Sequence, residues 1–202
     1  MSGVFMPNPN DPRVIRTRRL LIDAFGKLLH HKDFNQITVL DVAREATVNR
    51  ATFYAHFQDK YALLQSYLQF AFDAYVPERI DPRGGLTEDA VRRMIVSLCD
   101  YHRDCARCVK RYDSIALLME EDIRAQLEKF VLRMLLPGEG EPSALDAADE
   151  SLRTEATMIG WSIYGLTYRW HREGQRERPE ELAARASGFV PSRAPRAGAS
   201  AD

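Results

Sequence analysis

Four consecutive side chains near position 50 combine the groups that can read the edges of base pairs. An arginine offers two parallel N–H donors that fit guanine, while asparagine and threonine exchange hydrogen bonds with bases. The alanine between them is small enough for close approach, and its methyl group can touch thymine. These four residues are Asn49, Arg50, Ala51 and Thr52. Polar side chains that could reach phosphates lie nearby: Thr38, Tyr54, His56 and Lys60.

The elements that must position these side chains are two short helices joined by a tight turn. Thr38 and Asp41 form a capping-box pattern that opens the first, with a short acid in the third position. Asn49 is a good N-cap for the second, which we expect to run to about His56. A helix from Pro12 through His31 precedes the pair, and a longer one from Lys60 to about Tyr75 follows. This order predicts a helix-turn-helix unit whose second short helix enters the major groove.

The rest of the chain also has helical spacing, with no strand alternation and no internal repeat. We therefore predict an all-α fold with two domains. The predicted organisation is a flexible arm over 1–11, a helix-turn-helix domain over 12–75, a helical domain over 76–190 and a disordered tail over 191–202. Within the second domain we expect a linker at 77–86 and a loop at 137–143. We expect its helices at about 87–103, 105–136 with an interruption, 145–172 and 179–188.

The composition fits an ordinary globular protein. The chain has 202 residues, with 28 Lys+Arg against 29 Asp+Glu and a net charge of −1. It has no apolar run near the roughly 20 residues that span a bilayer, and no secretory signal at its start. With three cysteines, we expect a reducing cytoplasm and no membrane partner. Four arginines within seven residues stand out, although a solvated helix start explains them equally well: Arg13, Arg16, Arg18 and Arg19.

The segment 37–64 resembles the N-terminal domain of TetR/AcrR-type transcriptional regulators. Its most specific part is TFYAHFQDK at 52–60, and the resemblance covers about residues 13–70. Two positions depart from the family pattern. Thr47 replaces the usual glycine of the turn, where a positive φ is normally accommodated. Asn49 replaces the usual serine but keeps the capping chemistry.

The resemblance implies an all-helical homodimer that binds a palindromic operator in double-stranded DNA. The head occupies the first four helices, and a divergent helical domain dimerises and holds a small-molecule effector. Thr38, Tyr54, His56 and Lys60 correspond to phosphate contacts, and Arg50 and Thr52 to groove-reading positions. We expect a repressor released by its effector. The alternative is an adaptor or coactivator of the same fold that a protein partner controls.

The resemblance also places the dimer segment at residues 145–188. One apolar face of the long helix there holds Ile159, Ile163, Leu166 and Trp170, and a second, small-residue face holds Ala156, Gly160, Tyr164 and Thr167. We expect one face to meet its own domain and the other a partner subunit, although a simple buried helix would have the same pattern. Residues that could line an effector pocket, or simply form core, are Met94, Tyr112, Met119, Trp161, Tyr164 and Tyr168.

A cysteine and histidine cluster offers a different hypothesis. Cys99, His102, Cys105 and Cys108 are spaced by three, which could indicate a thiol- or metal-responsive sensor using Cys105 and Cys108. On a continuous helix each step of three drifts by about 60°, so four ligands would not converge. We expect structural thiols, no metal and no cofactor. The sequence has no P-loop, nucleophile elbow or zinc-protease motif, so we expect no enzyme.

Overall fold

The computed structural model describes residues 11–108, 115–136, 145 and 148–190. Within these ranges it is helical and contains no β-strand, in agreement with the predicted all-α fold. None of the described helices combines the length and the apolar composition that a membrane span requires. Several predicted features lie outside the described residues: the arm up to residue 10, Tyr112, the loop 137–143 and the tail 191–202.

The chain divides into two compact units. The first comprises Met1–Phe70 and Cys105–Met119, and the second Ala71–Asp104 and Glu120–Asp202. We call these the first unit and the second unit. The division falls inside long helices, so it does not coincide with the boundary at 75 and 76 that the sequence suggested.

The first helix, α1 (Pro12–His31), begins and ends as predicted. The Asp11 carboxylate accepts a hydrogen bond from the Arg13 amide at 2.8 Å, and proline occupies the first helical position, where no amide donor is needed. The buried face then repeats at helical spacing and packs on the short helices that follow. Its members are Leu21, Ile22, Ala24, Phe25, Gly26 and Leu29.

Two short helices follow α1: α2 (Val39–Glu45) and α3 (Arg50–His56). The capping box predicted for α2 and the Asn49 cap predicted for α3 are both present. Phe53 and Phe57 are buried, as expected for side chains that hold the short helices in place. The predicted helix-turn-helix is therefore confirmed, with α4 (Lys60–Tyr75) following it.

The linker predicted at 77–86 is a series of turns containing a short 3-10 helix, Pro82–Gly84. Beyond it, α5 (Glu88–Cys108) runs five residues further than the end predicted at residue 103. The next helix is α6 (Ala116–Leu135), which ends where predicted.

The last two helices are α7 (Glu150–Arg172) and α8 (Pro179–Ala186). Residues 148–149 are not helical, and the Asp149 carboxylate caps α7 by accepting from the Leu152 amide at 2.8 Å. The helix therefore begins later than predicted. It ends at Arg172 as predicted. Gly174 follows with φ of 87°, in a left-handed turn closed by a hydrogen bond from the Gln175 amide to the Trp170 carbonyl at 3.0 Å.

The expectation that one of the two predicted faces of α7 meets a partner subunit was wrong, and the alternative of a buried helix describes both faces. Both predicted faces are almost wholly buried within the chain's own second unit, including Ile163 and Gly160. A Cβ added at Gly160 would lie 3.4 Å from the backbone nitrogen of Glu128, so the small residue allows α7 to pack closely on α6. The exposed face is a third one, containing Met158 and Trp161. The helical period correctly predicted which residues share a face of α7, but it did not predict which part of the molecule covers each face.

Candidate nucleic-acid interface

The first turn of α3 presents its side chains to solvent. Arg50 and Ala51 are exposed, and Thr52 is half-buried. The Asn49 Oδ1 accepts from the Thr52 amide at 2.7 Å and from the Thr52 hydroxyl at 3.0 Å. These bonds satisfy the otherwise orphaned amide of the helix start and hold Asn49 rigid. A fixed helix end with an exposed guanidinium beside it is the geometry that base readout requires.

Arg50 is held by a tyrosine one turn along the same helix. Its Nη2 donates to the Tyr54 hydroxyl at 3.2 Å, and its Cζ lies 5.5 Å from the centroid of the Tyr54 ring. Tyr54 itself is 48% exposed. Restricting the guanidinium before binding lowers the side-chain entropy lost when it meets a base pair. Tyr54 therefore positions Arg50, a role beyond the phosphate contact expected from the sequence.

Thr38 caps the start of α2 within a network of hydrogen bonds. Its hydroxyl donates to the Asp41 carboxylate at 2.7 Å and accepts from the Asp41 amide at 3.1 Å. Lys32 donates to the same carboxylate at 2.8 Å. The Lys32 and Thr38 hydrogen bonds lower the pKa of Asp41 from 3.8 to about 2. Since the hydroxyl proton of Thr38 is already committed, a phosphate contact by this residue, which stays a prediction, needs a rearrangement of this network.

Lys60 lies at the first position of α4 and reaches back to the turn after α1. Its ammonium donates to the backbone carbonyls of Phe34 at 3.0 Å, Ile37 at 3.2 Å and Asn35 at 3.4 Å. The nitrogen also lies 4.5 Å from the centroid of the Phe34 ring. Three carbonyls account for all three ammonium protons. Lys60 thus ties α4 to the short 3-10 helix Phe34–Gln36, and its predicted phosphate contact would have to share one of these protons.

His56 ends α3 and is partly buried. Burial, and then the positive charge of Arg18, lower the pKa of its imidazole, so the ring is neutral near pH 7. Arg18 Nη1 donates to the His56 carbonyl at 3.1 Å. A neutral ring can contact a phosphate only through its single N–H. The sequence pattern did not predict the contact with Arg18, because the two residues are 38 positions apart.

The arginine cluster on α1 separates into two pairs. Arg18 also donates to the Ser66 hydroxyl at 2.8 Å, and Arg19 pairs with Asp23 at 2.9 Å. By contrast, Arg13 and Arg16 are exposed, and neither has a carboxylate partner within the described ranges. Arg18 therefore ties α1 to α3 and α4. Arg19 is paired within α1, and Arg13 and Arg16 remain as exposed positive charge.

The turn between α2 and α3 has the conformation that the glycine of the family pattern would favour. Thr47 has φ of 54°, and its hydroxyl donates to the Ala46 carbonyl at 2.7 Å. A β-branched residue at positive φ is strained by roughly 1–2 kcal/mol. The turn forms nevertheless, so the departure at this position costs stability rather than the fold.

The residues proposed for an effector pocket fall in several places. Met94 is buried in the second unit and Met119 in the first. Trp161 is 51% exposed on the outside of α7, beneath the guanidinium of Arg124 at 5.1 Å. Tyr164 and Tyr168 do meet, with ring centroids 5.6 Å apart. These last two are in ring contact inside the second unit, and the effector pocket stays a prediction.

The cysteine cluster does not assemble into a site among the described side chains. Burial raises the pKa of the Cys99 thiol to about 12, which keeps it protonated and unreactive. Cys105 is half-buried, with its thiol reduced. No group of three potential metal ligands occurs within the described ranges. The side chain of Cys108 lies outside them, so its role in a thiol sensor stays a hypothesis.

Comparisons with known proteins agree with this geometry. Residues 21–67 match the family model of bacterial regulatory proteins, tetR family. The chain is 45% identical over 60 residues to the uncharacterized HTH-type transcriptional regulator YxbF of Bacillus subtilis (strain 168). The aligned residues make up 29% of this chain and 16% of YxbF. It is 30% identical over 88 residues to the HTH-type dhaKLM operon transcriptional activator DhaS of Lactococcus lactis subsp. lactis (strain IL1403). This alignment covers 44% of this chain and 46% of DhaS.

Two solved structures share the fold over most of the chain. The dihydroxyacetone kinase operon activator DhaS has a TM-score of 0.56 at 18% identity, covering 87% of this chain and 94% of that one. The TetR family repressor AlkX from Dietzia sp. Strain DQ12-45-1b has a TM-score of 0.51 at 20% identity, covering 94% and 95%.

The aligned part of this chain spans about a sixth of the length of YxbF and less than half that of DhaS. At such low identities, the two structural matches establish the fold alone. The family model and the helix-turn-helix geometry coincide on the same residues. Residues 21–67 therefore form an N-terminal domain that matches the tetR family of bacterial regulatory proteins.

Proposed function

We propose that this chain is a sequence-specific DNA-binding transcriptional regulator that reads duplex DNA with α3. The observation that carries the proposal is the first turn of α3, where Arg50 is exposed and held by Tyr54. A guanidinium fixed in this way can donate both N–H groups to one guanine in the major groove. Exposed Arg13 and Arg16 add positive charge that favours the phosphate backbone.

We propose further that the regulator acts as a homodimer on a palindromic operator. An isologous dimer places two copies of α3 in successive major grooves, roughly 34–36 Å apart. The exposed apolar residues of the second unit support a second copy as the partner: Met158 is 67% exposed and Phe189 86% exposed. Both line an open groove of about 610 Å³ beside α7. Among the described residues that line the groove, Glu155 alone carries a carboxylate, which suits an apolar contact between copies.

The regulation that we propose is release from DNA by a small molecule bound in the second unit, as in a repressor. Such a ligand shifts the population only if it binds the two conformations with different affinities. The second candidate is an activator. The name of DhaS, a transcriptional activator that matches both in sequence and in fold, favours this candidate.

Selection of bound fragments from genomic DNA tests the proposal. The purified full chain is incubated with sheared genomic DNA at moderate salt, and the retained fragments are sequenced. We expect one inverted-repeat motif with half-sites one helical turn apart. Retention that follows fragment length alone, or no retention of any fragment even at low salt, would contradict sequence-specific binding. A reporter gene placed behind the motif then separates repression from activation.

A further inference from the structure

A fully buried histidine lies at the centre of an aromatic cluster in the second unit. His102, on α5, has no exposed surface. Four rings surround it, with centroids 5.8–6.2 Å from its own. They belong to Tyr101, Tyr164, Tyr168 and His171. The sequence had placed His102 only in the cysteine cluster, because the aromatic partners on α7 lie 62 or more positions away.

One nitrogen of the His102 imidazole has a hydrogen-bond partner, and the other has none within the described ranges. Its Nε2 lies 3.4 Å from the Thr167 hydroxyl, which also lies 3.0 Å from the carbonyls of Ile163 and Tyr164. The hydroxyl proton goes to a carbonyl, so the oxygen accepts the proton of Nε2. The Nδ1 atom then carries a lone pair and has no hydrogen-bond partner within the described ranges.

Burying an unpaired acceptor such as Nδ1 of His102 lowers the stability of the folded state. A buried acceptor that gives up water without finding a donor loses roughly 1–3 kcal/mol. Native cores contain few such groups, and each one calls for an explanation, for example an unseen ligand or water. The rings around His102 are large, apolar on their faces and able to pack against another ring.

The charge of the two imidazoles in this cluster limits which class of ligand could bind beside His102. Burial, and then the neighbouring His171, lower the pKa of His102 to about 3. Burial also lowers the pKa of His171. Both imidazoles are therefore neutral near pH 7 and offer no charge to pair with a carboxylate or phosphate, whose own desolvation would be expensive.

We propose that Nδ1 of His102 anchors a small, uncharged aromatic molecule with one O–H or N–H donor, bound inside the second unit. The donor satisfies the buried nitrogen, and the ring packs among the surrounding tyrosines. This inference rests on the proposed function, since such a molecule would be the effector. The effector would then be an uncharged, planar molecule that donates a hydrogen bond to Nδ1 of His102.

Three probes of nearly equal size test the class. Thermal unfolding and calorimetric titration of the full chain are carried out with phenol, anisole and benzoate at pH 7.5. Phenol should raise the unfolding temperature as its concentration rises. Anisole lacks the donor and should bind about tenfold more weakly, which is the effect of one hydrogen bond. Benzoate is charged and should produce no shift.

The variant His102→Phe keeps an aromatic ring and removes the acceptor. It should lose the preference for phenol over anisole, while unfolding at the same or a higher temperature without ligand. His30→Phe, at the exposed end of α1 in the first unit, is the matched control and should respond to phenol like the unaltered chain. If His102→Phe does not fold, ¹⁵N spectra of the imidazoles in the unaltered chain replace it. The Nδ1 resonance of His102 should then move on addition of phenol.

Equal affinity for phenol and anisole, no response to phenol, or an unmoved Nδ1 resonance would each overturn the inference. Binding to genomic fragments, measured on the same samples, keeps the two proposals apart. Intact DNA binding with no phenol response removes only the ligand class. A phenol response without DNA binding removes the proposed function and leaves the site in place.

Discussion

The two units place their polar groups in opposite ways. In the first unit, the polar side chains with a defined role lie at helix ends near the surface, as Thr38, Asn49 and Lys60 do. In the second unit, the polar side chains of His102 and Thr167 have no exposed surface, and aromatic rings surround His102. Surface caps leave an exposed helix end that suits a large ligand such as DNA. A buried acceptor suits a small ligand that the fold can enclose.

Replacing a core ring of the first unit should have the largest effect. Phe53 has no exposed surface and packs at 5.9 Å from the ring of Phe57. Phe53→Ala should lower the free energy of unfolding by about 3–5 kcal/mol, because it removes buried apolar area and leaves a cavity. Urea unfolding measures the loss. The neighbouring Tyr54→Ala, at a half-exposed position, should cost less than about 1 kcal/mol. Equal losses in the two variants would contradict the assignment of core and surface.

Arg50→Ala tests the surface side of the comparison. It should weaken binding to the selected operator by about 1–3 kcal/mol and relax the preference at one base pair per half-site, with unchanged unfolding. Competition binding against operators altered at each position measures both effects. A loss of the same size on every sequence would show that Arg50 contacts the backbone instead.

Lys60→Ala provides the contrasting variant. If Lys60 meets a phosphate, binding should weaken on all sequences and the salt slope should fall by about one. The variant should also unfold more easily, because the three carbonyls near Phe34 lose their donor. A lower stability with an unchanged salt slope would assign Lys60 to the scaffold alone.

The acid sensitivity of the first unit should come in part from Asp41. Its folded pKa, about 2, lies below the ordinary value of 3.8, so the stabilisation is present above about pH 4 and is lost as the pH falls through 2. After allowance for solvent screening, Asp41→Asn should cost about 1 kcal/mol at pH 7 and nothing below pH 2. Asp23→Asn, in an exposed pair with Arg19, should cost less than about 0.5 kcal/mol. A cost for Asp41→Asn that does not change with pH would contradict the network.

The smallest expected effect is a gain. Thr47→Gly relieves the strain at φ of 54° but adds freedom to the unfolded chain, so we expect a net stabilisation of about 0.5–1 kcal/mol. Thr38→Gly, at an extended N-cap position, should not stabilise the domain. A loss of stability in Thr47→Gly would show that the hydroxyl bond to Ala46 outweighs the strain.

The sequence predicted the first unit well because its determinants are local. The caps at Thr38 and Asn49 depend on partners three positions along the chain, which spacing alone discloses. The hydrogen bond from Lys60 to the Phe34 carbonyl joins residues 26 positions apart, and no local pattern predicts it. In the second unit, the period of α7 grouped Gly160 with Tyr164 correctly, but it could not predict that both faces are buried within the same unit. His102 was missed for the same reason, since its partner Thr167 is 65 positions away.

The most direct test of the central claim, that α3 reads base edges, is a double-mutant cycle between protein and DNA. Each guanine of the selected operator is replaced in turn by 7-deazaguanine, which lacks the N7 acceptor, and the affinities of the unaltered chain and Arg50→Ala are measured. We predict a coupling of about 1 kcal/mol or more at one guanine in each half-site and none elsewhere. Additive losses at every guanine would contradict base readout by Arg50.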